Sequence, residues 1–135
     1  MVIVDVHAHA GGHDPVFEKE FAIVDVVAAH DANGVDATIV QASSPLDLAD
    51  ARRQHDEIAR LTRERPGEFF GMALPNPHLP AAGYAGEVRR CVKELGFVGV
   101  KLQPLAHAVN PGSRAGRLVF ETASELDIPM MIHTG

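Results

Sequence analysis

The chain has 135 residues, 46% hydrophobic and 22% charged, with a formal charge of −6 at pH 7, which is enough apolar material for one domain with a real core. The acidic balance, with no Lys/Arg block, argues against a nucleic-acid partner and against an anionic membrane surface. The single cysteine, Cys91, cannot form an internal disulfide, and no leader or apolar run approaches the ~18 residues of a membrane span, so the cytoplasm is the expected compartment.

The elements alternate along the chain. A β-branched run, Val2–Val6, predicts a first strand that leads into the histidines of Asp5-Val-His-Ala-His9. A glycine-rich loop is expected over Ala10–Lys19, then a helix over Glu20–Asn33 that stops at Asn33-Gly34. Strand two is Ala37–Gln41, helix two Leu48–Glu64, strand three Phe69–Ala73 and helix three Ala81–Leu95. Strand four is Phe97–Leu102, helix four Ser113–Leu126 and strand five Ile128–His133. The strand centres recur at roughly thirty-residue intervals, the length of one β/α unit. The strands are near-continuously apolar, as buried parallel strands are.

This βαβαβαβαβ pattern predicts an α/β fold with a parallel sheet, and residues 1–135 read as one domain. The loop after strand one, His-Ala-His-Ala-Gly-Gly-His, is neither a dinucleotide loop nor a P-loop. Histidines at strand C-terminal ends suit a (β/α)8 TIM barrel, whose active sites gather at that face. A complete barrel takes about 250 residues, so the expected architecture is a partial barrel of five parallel strands and four helices. Cutting a barrel after strand five leaves two free edges and an open inner face, and a homo-oligomer is therefore expected.

His7 and His9 alternate in a strand and share a face, together with Asp5. His133 ends the last strand. At one barrel mouth, three imidazoles could converge on a metal ion, with an open position for water. A metal-bound water can ionise near neutral pH, which is the basis of a hydrolytic reading. Asp5 could orient an imidazole from behind or be satisfied by backbone. Lys101 shares parity with Gly99 and Gln103, so its amine could reach the barrel axis and contact a substrate carboxylate or pair with an acid such as Asp5. His13 and His107, in loops after strands one and four, are candidate substrate contacts, and His78 could line the same pocket. His30, His55 and Cys91 read as core residues on helices. Arg52, Arg53, Arg89 and Arg90 read as solvated helix faces.

Three segments carry a resemblance: Val2–His9 (V-I-V-D-V-H-A-H), Gly96–Pro104 (G-F-V-G-V-K-L-Q-P) and Ile128–Gly135 (I-P-M-M-I-H-T-G). Together with Arg65–Pro77, they resemble the amidohydrolase superfamily, in the amidohydrolase-related branch that includes aminocarboxymuconate-semialdehyde decarboxylase. The resemblance implies a (β/α)8 barrel with a divalent metal, zinc being the expected ion. His7 and His9 match the strand-one ligand pair, and His133 matches the strand-five ligand. It also implies a histidine from strand six and an aspartate from strand eight, neither of which falls within these residues. In some two-metal members a strand-four lysine is carboxylated, and Lys101 occupies that position. The implied activity on a small-molecule substrate is hydrolysis of a C–N or ester bond, or decarboxylation of an unsaturated or aromatic acid. The competing expectation is a non-catalytic half-barrel that self-associates or binds metal only.

Overall fold

The computed structural model describes residues 1–14 and 18–134, apart from the Asp14 side chain. The elements are β1 (Val4–Ala10), β2 (Gly12–Asp14), β3 (Lys19–Phe21), α1 (Ile23–Ala32), β4 (Ala37–Ala42), α2 (Leu48–Glu64), β5 (Phe69–Ala73), α3 (Ala81–Lys93), β6 (Gly99–Leu102), α4 (Arg114–Leu126) and β7 (Met130–Ile132). Five parallel strands form one sheet in the order β1-β4-β5-β6-β7, and β2 and β3 form a separate hairpin. The sheet is half of a barrel with its helices on the outer face. Each strand lies beside its predecessor in sequence, as short β/α/β crossovers dictate.

The core lies between sheet and helices. Val40 and Ala42 of β4, Val100 and Leu102 of β6 and Ala73 of β5 are buried against Ile58, Ala59, Tyr84, Val88, Cys91, Val119 and Ala123. Residues of opposite parity, such as Gln41, Lys101 and Gln103, therefore line the inner face. Gly71 is required by close packing: a Cβ there would lie 2.3 Å from the Phe97 ring. Two helices begin on side-chain caps, with Asp47 accepting from the Asp50 N–H and Ser113 from the Gly116 N–H.

The structure departs from the sequence expectations in four places. First, β1 spans Val4–Ala10 where the sequence predicts Val2–Val6, so His7 and His9 lie within the strand itself. Second, Glu20 and Phe21 do not open a helix. They pair back on Gly12–His13, and the Gly11 N–H donates to the Phe21 carbonyl, so α1 starts only at Ile23. Third, the ladder between β1 and β4 steps from Asp5–Thr38 to Ala8–Val40, leaving an extra residue on β1. This bulge breaks the simple alternation between Asp5 and His7 and re-aims the residues beyond it.

Fourth, Arg52 and Arg90 are not merely solvated. Both donate to the fully buried Glu87 carboxylate, as does the buried His55 through Nδ1 at 2.8 Å. The other nitrogen of His55, Nε2, accepts the Leu74 N–H at 3.0 Å, which ties α2 and α3 to the chain leaving β5. Cys91 is a core thiol as expected: it sits 3.6 Å from Glu87, and burial pushes its pKa up. Burial pushes the Glu87 carboxyl up as well, but hydrogen bonds from His55, Arg90 and Arg52 outweigh it and hold the pKa down at about 2.

Among the described residues, β1 and β7 are the edges of the sheet and no further strand pairs with them. Val4 and Val6 on β1 are 50% and 51% exposed, and Phe70 on the inner face is 36% exposed. This 135-residue polypeptide on its own is expected to associate through those edges; static light scattering that reads a monomer at high concentration contradicts this. A depressed carboxyl stabilises the fold above its ordinary pKa of 4.5 and loses that effect as pH falls toward 2. Glu87→Gln is expected to cost ~3 kcal/mol in urea unfolding at neutral pH and to flatten the acid loss seen in the parent chain.

Candidate metal centre

The inner face of the sheet brings together residues from its first and last strands. His7 and His9 of β1 present their Nε2 atoms 3.1 Å apart. The His133 ring, directly after β7, meets His7 edge-on with centroids 5.8 Å apart. Lys101 of β6 reaches across the open barrel and places Nζ 3.0 Å from His7 Nε2. Its side chain is buried at 1% exposure. His133 is held in place by its backbone N–H, which donates to the Leu102 carbonyl at 3.1 Å.

Local bonds set the tautomers. His9 Nδ1 lies 2.9 Å from the Ala42 carbonyl, which can only accept, so Nδ1 carries the proton and Nε2 presents its lone pair. Burial lowers the Lys101 pKa to about 8, leaving the amine charged at neutral pH. An ammonium only donates, so His7 Nε2 also presents a lone pair. Burial first, then the Lys101 charge and the neighbouring imidazoles, lower the His7 pKa to about 4. The His7 ring is thus neutral, the state in which imidazole ligates a metal.

Facing lone pairs repel unless a positive centre lies among them; the Lys101 ammonium serves His7 Nε2 here, and a bound metal ion would take its place at that nitrogen. For nitrogens 3.1 Å apart, a single ion at the usual zinc–imidazole distance of about 2.0–2.1 Å would subtend an angle of about 100°. That falls between octahedral and tetrahedral geometry, so the donor set fits a divalent transition-metal ion.

The other sequence candidates fall elsewhere. Asp5 follows the second of its two expected roles, satisfaction by backbone: its carboxylate accepts the His7 backbone N–H at 2.9 Å, beside the bulge. His13 sits on the exposed hairpin 3.5 Å from Glu20. It lines a cleft of about 650 Å3 between that hairpin and α2, with Ser44, Arg53 and Glu57. His107 is buried, its ring hydrogen-bonded to the Pro45 carbonyl at 3.2 Å. His78 donates to the His107 carbonyl at 3.0 Å. The reading of His30 and His55 as core residues holds: His30 Nδ1 bonds Thr38 and His55 bonds Glu87.

Of two further inward polar residues, the sequence marks Gln103 only by its parity with Lys101 and does not single out Gln41. Gln41 stands beside His9 in register, and Gln103 follows Lys101 on the same face; both are buried. The available signal was an amide at or just beyond the C-terminal end of each strand. Among the described residues, the groups whose potential ligand atoms all lie within 4.8 Å of one another are His55–Glu87–Cys91 and His30–Asp31–Glu68, so the His133 nitrogens stand farther from the His7–His9 pair than that. The atoms of those two groups are engaged by Leu74, Arg52, Arg90, Thr38 and Arg65, which marks them as structural.

In the metal-free chain, the His7 ring is expected to titrate near pH 4 by NMR, and Lys101→Met to move that midpoint upward. A folded pKa below the ordinary 6.5 means stability is present above 6.5 and falls as pH drops toward 4. A His7 midpoint at its ordinary value contradicts the site as described.

Comparison with known proteins supports the family and the half-barrel fold. The family model described as Amidohydrolase matches residues 4–135. A gamma-resorcylate decarboxylase from Polaromonas sp. is 30% identical over a match covering 76% of this chain and 36% of its own. A 2-keto-4-carboxy-3-hexenedioate hydratase from Sphingobium sp. is 35% identical, covering 56% of this chain and 24% of its own. The fold matches that of a 5-carboxyvanillate decarboxylase from Novosphingobium aromaticivorans, solved with bound manganese. The TM-score is 0.78 at 21% identity, over 98% of this chain and 50% of that one. The chain thus spans between a quarter and a half of the length of these proteins. With a family match that runs from β1 to the end of the described residues, the chain belongs to the amidohydrolase family.

Proposed function

We propose that this chain supplies the first half of the active site of a metal-dependent lyase that decarboxylates an aromatic or unsaturated carboxylic acid. The observation that carries the reading is the meeting of His7, His9 and His133 on one inner face, beside a buried lysine. His7, His9 and His133 would hold the ion, through neutral nitrogens. A bound divalent metal would supply positive charge to polarise a substrate carboxylate or hydroxyl. Neutral imidazoles suit zinc, whereas the carboxyvanillate decarboxylase structure holds manganese.

The chain's own residues do the positioning. Lys101, charged and shielded from bulk water, attracts a substrate carboxylate toward the histidines. Hydrolysis of a C–N or ester bond would use the same ligands. Decarboxylation is preferred because the gamma-resorcylate and carboxyvanillate relatives are decarboxylases, while the hydratase acts on an unsaturated carboxylate. Strands that close the barrel would bring the remaining histidine and aspartate, so turnover is proposed for the closed barrel and metal binding for this half.

Metal analysis of the purified chain is expected to find near-stoichiometric divalent ion. His7→Ala/His9→Ala is expected to remove it, and His133→Ala to weaken it at least tenfold. Wild-type protein that takes up no zinc or manganese under dialysis contradicts the proposal.

A further inference from the structure

We propose that His107 is a positioning residue for the metal centre, clasping the end of β4 to the end of β6. This rests on the metal-site reading above. The need for a clasp is visible in the sheet. β5 and β6 pair over Met72–Gly99 and Ala73–Val100 alone, the shortest ladder in the sheet, whereas β1 and β4 pair over five positions. That seam separates the strands carrying His7 and His9 from those carrying Lys101 and His133. Small rotations there would change the distance between the ligands.

His107 spans the seam. Its Nε2 donates to the Pro45 carbonyl beyond β4, and its backbone N–H donates to the Gln103 carbonyl directly after β6. The two ends of this bridge lead to the ligands. On one side, Pro45 is three residues from Ala42, whose carbonyl holds the His9 ring. On the other, Gln103 follows Leu102, whose carbonyl holds the His133 backbone. One path of hydrogen bonds and short chain segments thus joins the His9 ring to His133 across the strand ends. The loop after β5 is gathered into it, since His78 donates to the His107 carbonyl and Asn76 to the Leu46 carbonyl.

The backbone gives a second, independent mark. Ser44, next to Pro45, and Ala108, next to His107, both adopt left-handed conformations with φ of 47°. Non-glycine residues hold such angles where surrounding structure over-determines them, and such sites cluster around function. Here strain flanks both partners of a single hydrogen bond. His107 is 4% exposed, so its ring acts through the loops it ties together.

The test uses Co2+ as the probe in His107→Ala, His107→Gln and His107→Asn variants. A glutamine amide can replace the Nε2–H donor, whereas asparagine is too short to reach. The alanine and asparagine variants are expected to bind Co2+ at least tenfold more weakly and to show displaced d–d bands, and glutamine to restore both. Val119→Ala, a core truncation in α4 away from the clasp, is expected to lower Tm and leave the Co2+ spectrum unchanged. Alanine and asparagine variants with wild-type affinity and spectrum overturn the proposal. So does a Val119→Ala spectrum that moves as theirs does, or a glutamine variant that restores nothing. A wild-type chain that binds no Co2+ defeats the metal reading, and the clasp is then decided on the metal-free protein. There, the His9 and His133 ring resonances are expected to shift in His107→Ala and return in His107→Gln; resonances that stay put overturn it.

Discussion

Two imidazole nitrogens, of His7 and His9, held about 3 Å apart are the constraint on which the structure turns. His7 and His9 come to that point, and His133 comes beside His7, through backbone-level devices. The bulge in β1 re-aims His7, the Ala42 carbonyl orients the His9 ring, and the Leu102 carbonyl sets His133. Burial, and after it the Lys101 charge, keep His7 unprotonated at neutral pH. A nitrogen cluster of this kind gains little as a fold-stabilising feature, because lone pairs face one another. It becomes favourable with a cation among the rings, and this links the packing of the inner face to the proposed chemistry.

The outer and inner faces do different work. Outside, the sheet is sealed by aliphatic packing and by the His55–Glu87–Arg52–Arg90 network, whose carboxylate is fully buried and multiply bonded. A buried charge with that many donors is costly to disrupt, and it locks α2 and α3 to the chain leaving β5. Inside, the sheet carries His7, His9, Lys101 and His133, with Gln41 and Gln103 buried beside them. The rigid outer layer holds the inner groups near one geometry, as preorganised sites require.

Much of this was legible in the sequence, for physical reasons. Thirty-residue spacing and apolar strands gave the half-barrel, and the i, i+2 spacing of His7 and His9 gave a shared face. The hairpin was hidden because Gly12–Asp14 and Lys19–Phe21 are too short for any periodicity to register. The bulge was hidden because an extra residue in one strand shows only against its partner's register. Glu87 lies 35 residues from Arg52 and 32 from His55, so helix-face patterning marked those arginines as solvated. His107 looked like a pocket residue because loops after barrel strands face the mouth, yet its ring turns to a carbonyl two strands away.

The central claim, that His7, His9 and His133 share one metal ion, is tested most directly by X-ray absorption at the metal edge of the loaded chain. The account predicts an imidazole shell at about 2.0–2.1 Å with multiple scattering from three rings. A shell of oxygen or sulfur ligands, or scattering from a single imidazole, would contradict it.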